Sequence, residues 1–125
     1  MFLPFQEKKD LPLILSSASI GVVTLSKKIS GLLVPSKLYG HLACGTPIAA
    51  VSGKGSYIKK LIEEHNCGKW FENGNYEDLA EWILKVYQSK ENFKKLGKSS
   101  LDLFLKEFTL DIVSKKYLKI INRNF

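Results

Sequence analysis

The run Ile20-Gly21-Val22-Val23-Thr24-Leu25 is apolar, rich in β-branched residues and of strand length, and it does not alternate polar with apolar positions. A strand with one face in water alternates. A strand covered on both faces does not, which is the mark of a parallel sheet with helices on either side. The run at 48–51 has the same character, and further short candidates stand at 1–5 and 69–71. Between them lie segments with helical spacing, such as 57–65, where Ile58, Leu61 and Ile62 share one face. Strand and helix in alternation imply βαβ units, so the expected fold is α/β: a Rossmann-like parallel sheet of about four strands flanked by helices.

Local signals set the helix boundaries. Asp10 is a candidate cap for a helix at 11–17 with Pro12 in its first turn, where a missing N–H costs nothing. Ser36 is the expected cap of a helix that Gly45 stops and Pro47 cannot continue. Ser56 opens the helix at 57–65, Cys67-Gly68 turns the chain into the next strand, and Asn75, Ser89 and Thr109 cap helices at 76–88, 90–106 and 110–122. Gly97 falls inside the second of these and should weaken it by roughly 1 kcal/mol relative to Ala.

A chain of 125 residues suffices for one domain. No apolar stretch approaches the roughly 20 residues that span a bilayer. Residues 1–5 are too short for a signal peptide, and two cysteines without such a signal favour reduced thiols and a cytoplasmic setting. The net charge of +7 is compatible with a phosphate-bearing partner. The lysines, however, come as scattered pairs that read as solvated helix faces. Nucleic acid is disfavoured as a partner, because Arg123 is the single arginine and no basic groove motif is present.

In parallel sheets ligands sit beyond the carboxyl ends of the strands, which directs attention to the loops 26–35, 52–55 and 72–75. After Pro35, the N–H groups of Ser36, Lys37 and Leu38 should open a helix without intrahelical partners, a ready site for an anion. Ser36 adds a hydroxyl and Lys37 a point charge suited to phosphate. Gly31, Gly53 and Gly55 would let the backbone approach a ligand closely. Together these describe a diphosphate pocket; the plainer alternative is that Ser36 only caps and Lys37 is only solvated.

The segment Val34-Pro35-Ser36-Lys37-Leu38-Tyr39-Gly40-His41-Leu42-Ala43-Cys44-Gly45-Thr46-Pro47-Ile48 resembles the donor-site segment of bacterial family 4 glycosyltransferases, in the subgroup with the pattern PSK-x-YG. Phe2-Leu3-Pro4-Phe5, Ser17-Ala18-Ser19-Ile20-Gly21-Val22 and Asn66-Cys67-Gly68-Lys69-Trp70-Phe71 look like flanking motifs of that family, as does Asn75-Tyr76-Glu77-Asp78-Leu79-Ala80. The resemblance implies a retaining enzyme of the GT-B fold, used in surface polysaccharide or O-antigen synthesis. It implies a nucleotide diphosphate sugar as substrate, a uridine one by preference, with no other cofactor and no metal requirement. Carried over by position, Ser36, Lys37 and Leu38 would meet the diphosphate. Gly31 and Leu32 would approach the sugar, while Pro35, Tyr39, Gly40, Gly53, Gly55, Ser56 and Tyr57 would border the pocket. No catalytic residue is assigned.

Two departures stand out. Many family members carry Glu where Leu32 and Gly40 stand here, and the second of those acids holds the ribose; a third position, often acidic, is Tyr57. The family's donor-binding domain also begins with strands that have no counterpart in residues 1–125, and its acceptor domain precedes them. The expectation is therefore a partial C-terminal donor-binding domain, inactive by itself. Its strand at 20–25 is open to residues 1–5 or to a second copy, giving a possible homodimer. A lipid-linked glycan acceptor and peripheral association with the inner face of the cytoplasmic membrane are family-level expectations. A zinc site at His41, Cys44, His65 and Cys67 matches no standard spacing. A non-catalytic interaction module, using the strand edge or the apolar face of 110–122, remains the alternative.

Overall fold

The computed structural model describes residues 4–29 and 31–122. Three strands, β1 (Gly21–Thr24), β2 (Ile48–Ser52) and β3 (Gly68–Glu72), form one parallel sheet in the order β1-β2-β3. Its register pairs Gly21 with Ile48 and Ile48 with Gly68. Helices α1 (Leu11–Ser17), α2 (Lys37–Ala43), α3 (Tyr57–His65), α4 (Tyr76–Gln88), α5 (Lys90–Glu107) and α6 (Leu110–Ile121) surround it. The α/β, Rossmann-like class expected from the strand pattern is the class observed. A strand at 1–5 is not: residues 1–3 lie outside the described residues, and Pro4 and Phe5 carry no strand structure. Among the described residues β1 therefore pairs only with β2, and Val22 is 49% exposed on the sheet face that it shares with Ala49.

Two cores explain the non-alternating run of β2, whereas β1, expected to be covered on both faces, is an edge strand buried on one face only, with Val22 and Thr24 exposed on the other. Along β2, Ile48 and Ala50 pack into one cluster with Val23, Leu38, Leu42, Ile58 and Ile62, whereas Ala49 and Val51 pack on the opposite face against Phe71, Trp82 and Val86. The crossover helices α2 and α3 contribute to the first cluster, as follows when successive units of one hand extend a sheet in one direction. Leu38 and Leu42 are fully buried, and each such side chain contributes about 1.5–3 kcal/mol. Helix α4 covers the second face. Helix α5 is long enough to serve both: Phe93 and Leu96 join the second cluster, Leu103 and Phe104 the first.

Capping follows expectation at three helices. Ser56, Ser89 and Thr109 accept from the N–H groups of Lys59, Asn92 and Ile112. It differs at three others. Asp10 and Ser36 have helical backbone angles and make no side-chain cap bond. Asn75 makes none either, and its amide donates to Asp78 instead. Helix α3 ends on Asn66 in the left-handed region, and Gly45 follows α2 at φ +64°. β3 starts one residue earlier than expected, at Gly68, where a Cβ would collide with the carbonyl of Ile48.

Gly97 is not a weak point of α5 but the condition for its docking. A Cβ there would stand 2.5 Å from the carbonyl oxygen of Gly45, so the helix backbone meets the end of α2 directly. One turn on, the buried hydroxyl of Ser100 is within hydrogen-bond distance of the carbonyls of Thr46 (2.9 Å) and Cys67 (3.2 Å). Helix propensity alone would make Gly97→Ala stabilising by about 1 kcal/mol. The clash reverses the sign: urea denaturation of Gly97→Ala is expected to show a loss of about 1–3 kcal/mol, and a gain would refute this packing.

Candidate functional site

The carboxyl ends of the three strands are tied together across the sheet. Asn73, just past β3, donates to the carbonyl of Leu25 after β1 at 2.9 Å. Glu72 lies 3.4 Å from both Lys27, after β1, and Lys54, after β2. Partial desolvation pushes the Glu72 carboxyl up, but Lys54 and Lys27 outweigh it and hold it below the usual carboxylate value. Each pair is solvent-facing and weak alone. Their geometric effect is to draw the two crossover loops towards one another.

Two hollows open on these loops. One, of about 620 Å³, is lined by Gly31, Lys54, Gly55, Ser56, Tyr57 and Lys59, with Lys60, Glu63 and Glu64 further along α3. The other, of about 510 Å³, runs along the open edge of β1 to Pro35, Ser36 and Lys37. The fold thus gathers Gly31, Gly55, Ser56 and Tyr57, from two loops, into one hollow, and sets Pro35, Ser36 and Lys37 around a second. The N–H of Leu38 is taken by the carbonyl of Pro35, and that of Tyr39 by Ser36. Of the three expected open donors, those of Ser36 and Lys37 make no hydrogen bond within the described residues. Leu38 itself is core.

The remaining candidates are less uniform. Leu32 is 86% exposed. Gly53 is buried, and its carbonyl accepts from Ser56 N at 3.1 Å. Gly40 faces α1, where a Cβ would meet Leu15 at 2.9 Å. Tyr39 makes an edge contact with Phe108 at the end of α5, with ring centroids 4.9 Å apart. Burial, and then the neighbouring Tyr57, raise the Tyr39 phenol above its ordinary value. Cys67 is a buried thiol pushed up to about 11 by desolvation. Among the described residues no group of three or more His, Cys, Asp or Glu is arranged to hold a metal ion.

Residues not named as site candidates from the sequence lie in or directly behind the first hollow. Lys59 lies with its Nζ 4.4 Å from the ring centroid of Trp70. The indole N–H of Trp70 donates to Ser52 at 3.0 Å, and Ser52 and Ser56 hydroxyls are 2.6 Å apart. The one legible trace is that Ser52 and Ser56 bracket the glycine loop; Trp70 was readable only as a strand aromatic, whose N–H seeks a partner when buried.

His41 ties α2 to β1. Its ring lies against Gly21, where a Cβ would stand 2.5 Å from it, and its Nδ1 is buried without a hydrogen-bond partner among the described residues. Burial first, and the charge of Lys37 second, lower its pKa below the ordinary 6.5. The unfolded chain therefore takes up the proton more readily. The contribution of neutral His41 is present above pH 6.5 and is lost as pH falls through the lower folded-state value. Thermal unfolding between pH 7 and pH 5 is expected to show this loss in the native chain and a flatter profile in His41→Gln; identical profiles would refute the assignment.

With this geometry in view, the chain can be set beside known proteins. It is 41% identical over 54 residues, 43% of its length, to "Probable glycosyltransferase WbjE" of Pseudomonas aeruginosa. It is 33% identical over 86 residues, 69% of its length, to the chitobiosyldiphosphodolichol beta-mannosyltransferase of Pongo abelii. It is 34% identical over 80 residues, 64% of its length, to the UDP-glycosyltransferase TURAN of Arabidopsis thaliana. The matched segments make up only 14%, 18% and 16% of those proteins. No family profile and no solved structure matches the chain. No helix among the described residues is long and apolar enough to cross a membrane. Over the segment it shares with them, this α/β chain is similar to glycosyltransferases from a bacterium, an animal and a plant.

Proposed function

We propose that residues 1–125 are the donor-binding part of a retaining GT-B glycosyltransferase and that the two hollows at the carboxyl ends of β1 and β2 hold a nucleotide diphosphate sugar. The observation that carries this reading is the convergence of Gly31 with Lys54, Gly55, Ser56 and Tyr57 in one hollow. Close by in the chain, Ser36 and Lys37 present N–H groups with no hydrogen bond within the described residues. The similarity to glycosyltransferases supports it independently.

In this reading the diphosphate lies against the N–H groups of Ser36 and Lys37, with Lys37 and Lys54 supplying positive charge in place of a metal. The flat, Cβ-free surfaces at Gly31 and Gly55 accept the sugar and nucleotide at close range. With Leu32 and Gly40 in place of acids, the ribose hydroxyls need another acceptor, and Glu63 and Glu64 on α3 face the same hollow. The acceptor is a glycan, lipid-linked, brought to the cytoplasmic face of a membrane whose anionic surface suits the basic chain. The acceptor-side groups are not among these residues, so the chain alone binds donor and does not transfer sugar.

The alternative of an interaction module has the open β1 edge and the outward apolar residues of α6, such as Leu110, Tyr117 and Ile121, in its favour. Calorimetric titration separates the two. Uridine diphosphate should bind saturably, and Lys37→Ala and Lys54→Ala should each weaken it roughly tenfold, the loss of one charged hydrogen bond of about 1.5 kcal/mol. No binding by the native chain would overturn the donor-site reading.

A further inference from the structure

A chain of hydroxyls and one indole links β3 to the start of α3 through the loop that borders the first hollow. Trp70, in β3, can only donate, and its N–H is directed at Ser52 Oγ (3.0 Å). Ser52 is fully buried at the end of β2, and Ser56 Oγ, 2.6 Å away, is its only other polar neighbour within hydrogen-bond distance among the described residues. Either arrangement leaves one serine proton without an acceptor; that costs less at Ser56, which is 4% exposed and borders the hollow, than at Ser52, which is fully buried, so Ser52 accepts from Trp70 and donates to Ser56. Ser56 Oγ then receives two donors, Ser52 and the N–H of Lys59 at 3.2 Å. Both its lone pairs are engaged, and its own proton has no acceptor within the described residues. Ser56 lines the hollow together with Lys54 and Gly55.

We propose that Trp70 is a positioning residue for the donor site: acting through Ser52, it orients the Ser56 hydroxyl as a donor towards an anionic oxygen of a nucleoside diphosphate in that hollow. The inference rests on the donor-site reading above. It adds a residue outside the hollow and a direction of hydrogen bonding that no motif of the chain specifies. The same indole also carries Lys59 over its ring, so one side chain sets both the polarity of the loop and the place of a neighbouring cation.

The test is a double-mutant cycle on the full 125-residue chain, read as calorimetric affinity for uridine diphosphate. Trp70→Phe keeps an aromatic ring and removes the N–H. Ser56→Gly removes the hydroxyl while keeping a residue acceptable at a helix N-cap. Ser52→Ala interrupts the relay without touching the indole, and serves if Trp70→Phe does not fold. Trp70→Phe or Ser52→Ala should weaken binding about fivefold to tenfold in the native background and cause no further loss in Ser56→Gly. A merely structural role would give the same loss in both backgrounds, and that result, or native affinity in Trp70→Phe, overturns the proposal while leaving the donor-site reading intact. If the native chain binds no uridine diphosphate, both fall together.

Discussion

The order of the sheet depends on the seam where α5 crosses the loop after α2. Gly97 meets the carbonyl of Gly45 with no side chain between them, and Ser100 reaches the carbonyls of Thr46 and Cys67 from the next turn. Those two carbonyls belong to residues that lead into β2 and β3. A single helix thereby reaches the entry points of two strands: its Ser100 hydroxyl bonds the Thr46 carbonyl and is a second donor to the Cys67 carbonyl, which also accepts the N–H of Ile48. Because the approach is backbone to backbone, it tolerates no added methyl group, and the cost of disturbing it reaches both cores at once.

The site inherits its geometry from this arrangement. With β2 and β3 held in register, their carboxyl ends present Ser52, Glu72 and Asn73 in a row across the sheet. Asn73 and Glu72 reach back to the loop after β1, Glu72 also to Lys54, and Trp70 to Ser52. β3 supplies no glycine or serine to the hollows, yet it orders the loops that do. The lysines nearest the first hollow are held in ion pairs, Lys54 with Glu72, Lys59 with Glu63 and Lys60 with Glu64. An anionic ligand would compete with exposed carboxylates for these cations, which such weak surface pairs permit.

One face of β1 and one face of α6 are left uncovered by the same fold. Val22 on β1, and Leu110, Tyr117, Leu118 and Ile121 on α6, are large apolar side chains in contact with solvent. An open parallel edge is a surface that another strand can extend. The glycosyltransferases it resembles are several times longer than the segment they share with this chain.

The apolar runs at 20–25 and 48–51, the helical spacing of 57–65 and the caps Ser56, Ser89 and Thr109 were sufficient to determine an α/β fold from the residues alone, because strand-length apolar runs, helical spacing and cap hydrogen bonding are local marks; that only the run at 48–51 is covered on both faces was decided by the place of each strand in the sheet. The segment 35–47 drew attention for a different reason, its resemblance to a known pattern. What only the tertiary structure decided are matters of contact between distant residues. Gly97 reads as a helix defect until Gly45 lies against it. Ser36 reads as a cap until Pro35 and Ser36 carbonyls take the N–H groups of Leu38 and Tyr39. Trp70 reads as a strand aromatic until its N–H finds a serine 18 positions earlier. Propensity is a property of a residue and its near neighbours, whereas a steric exclusion or a hydrogen bond across the sheet exists only once the chain has brought both partners together.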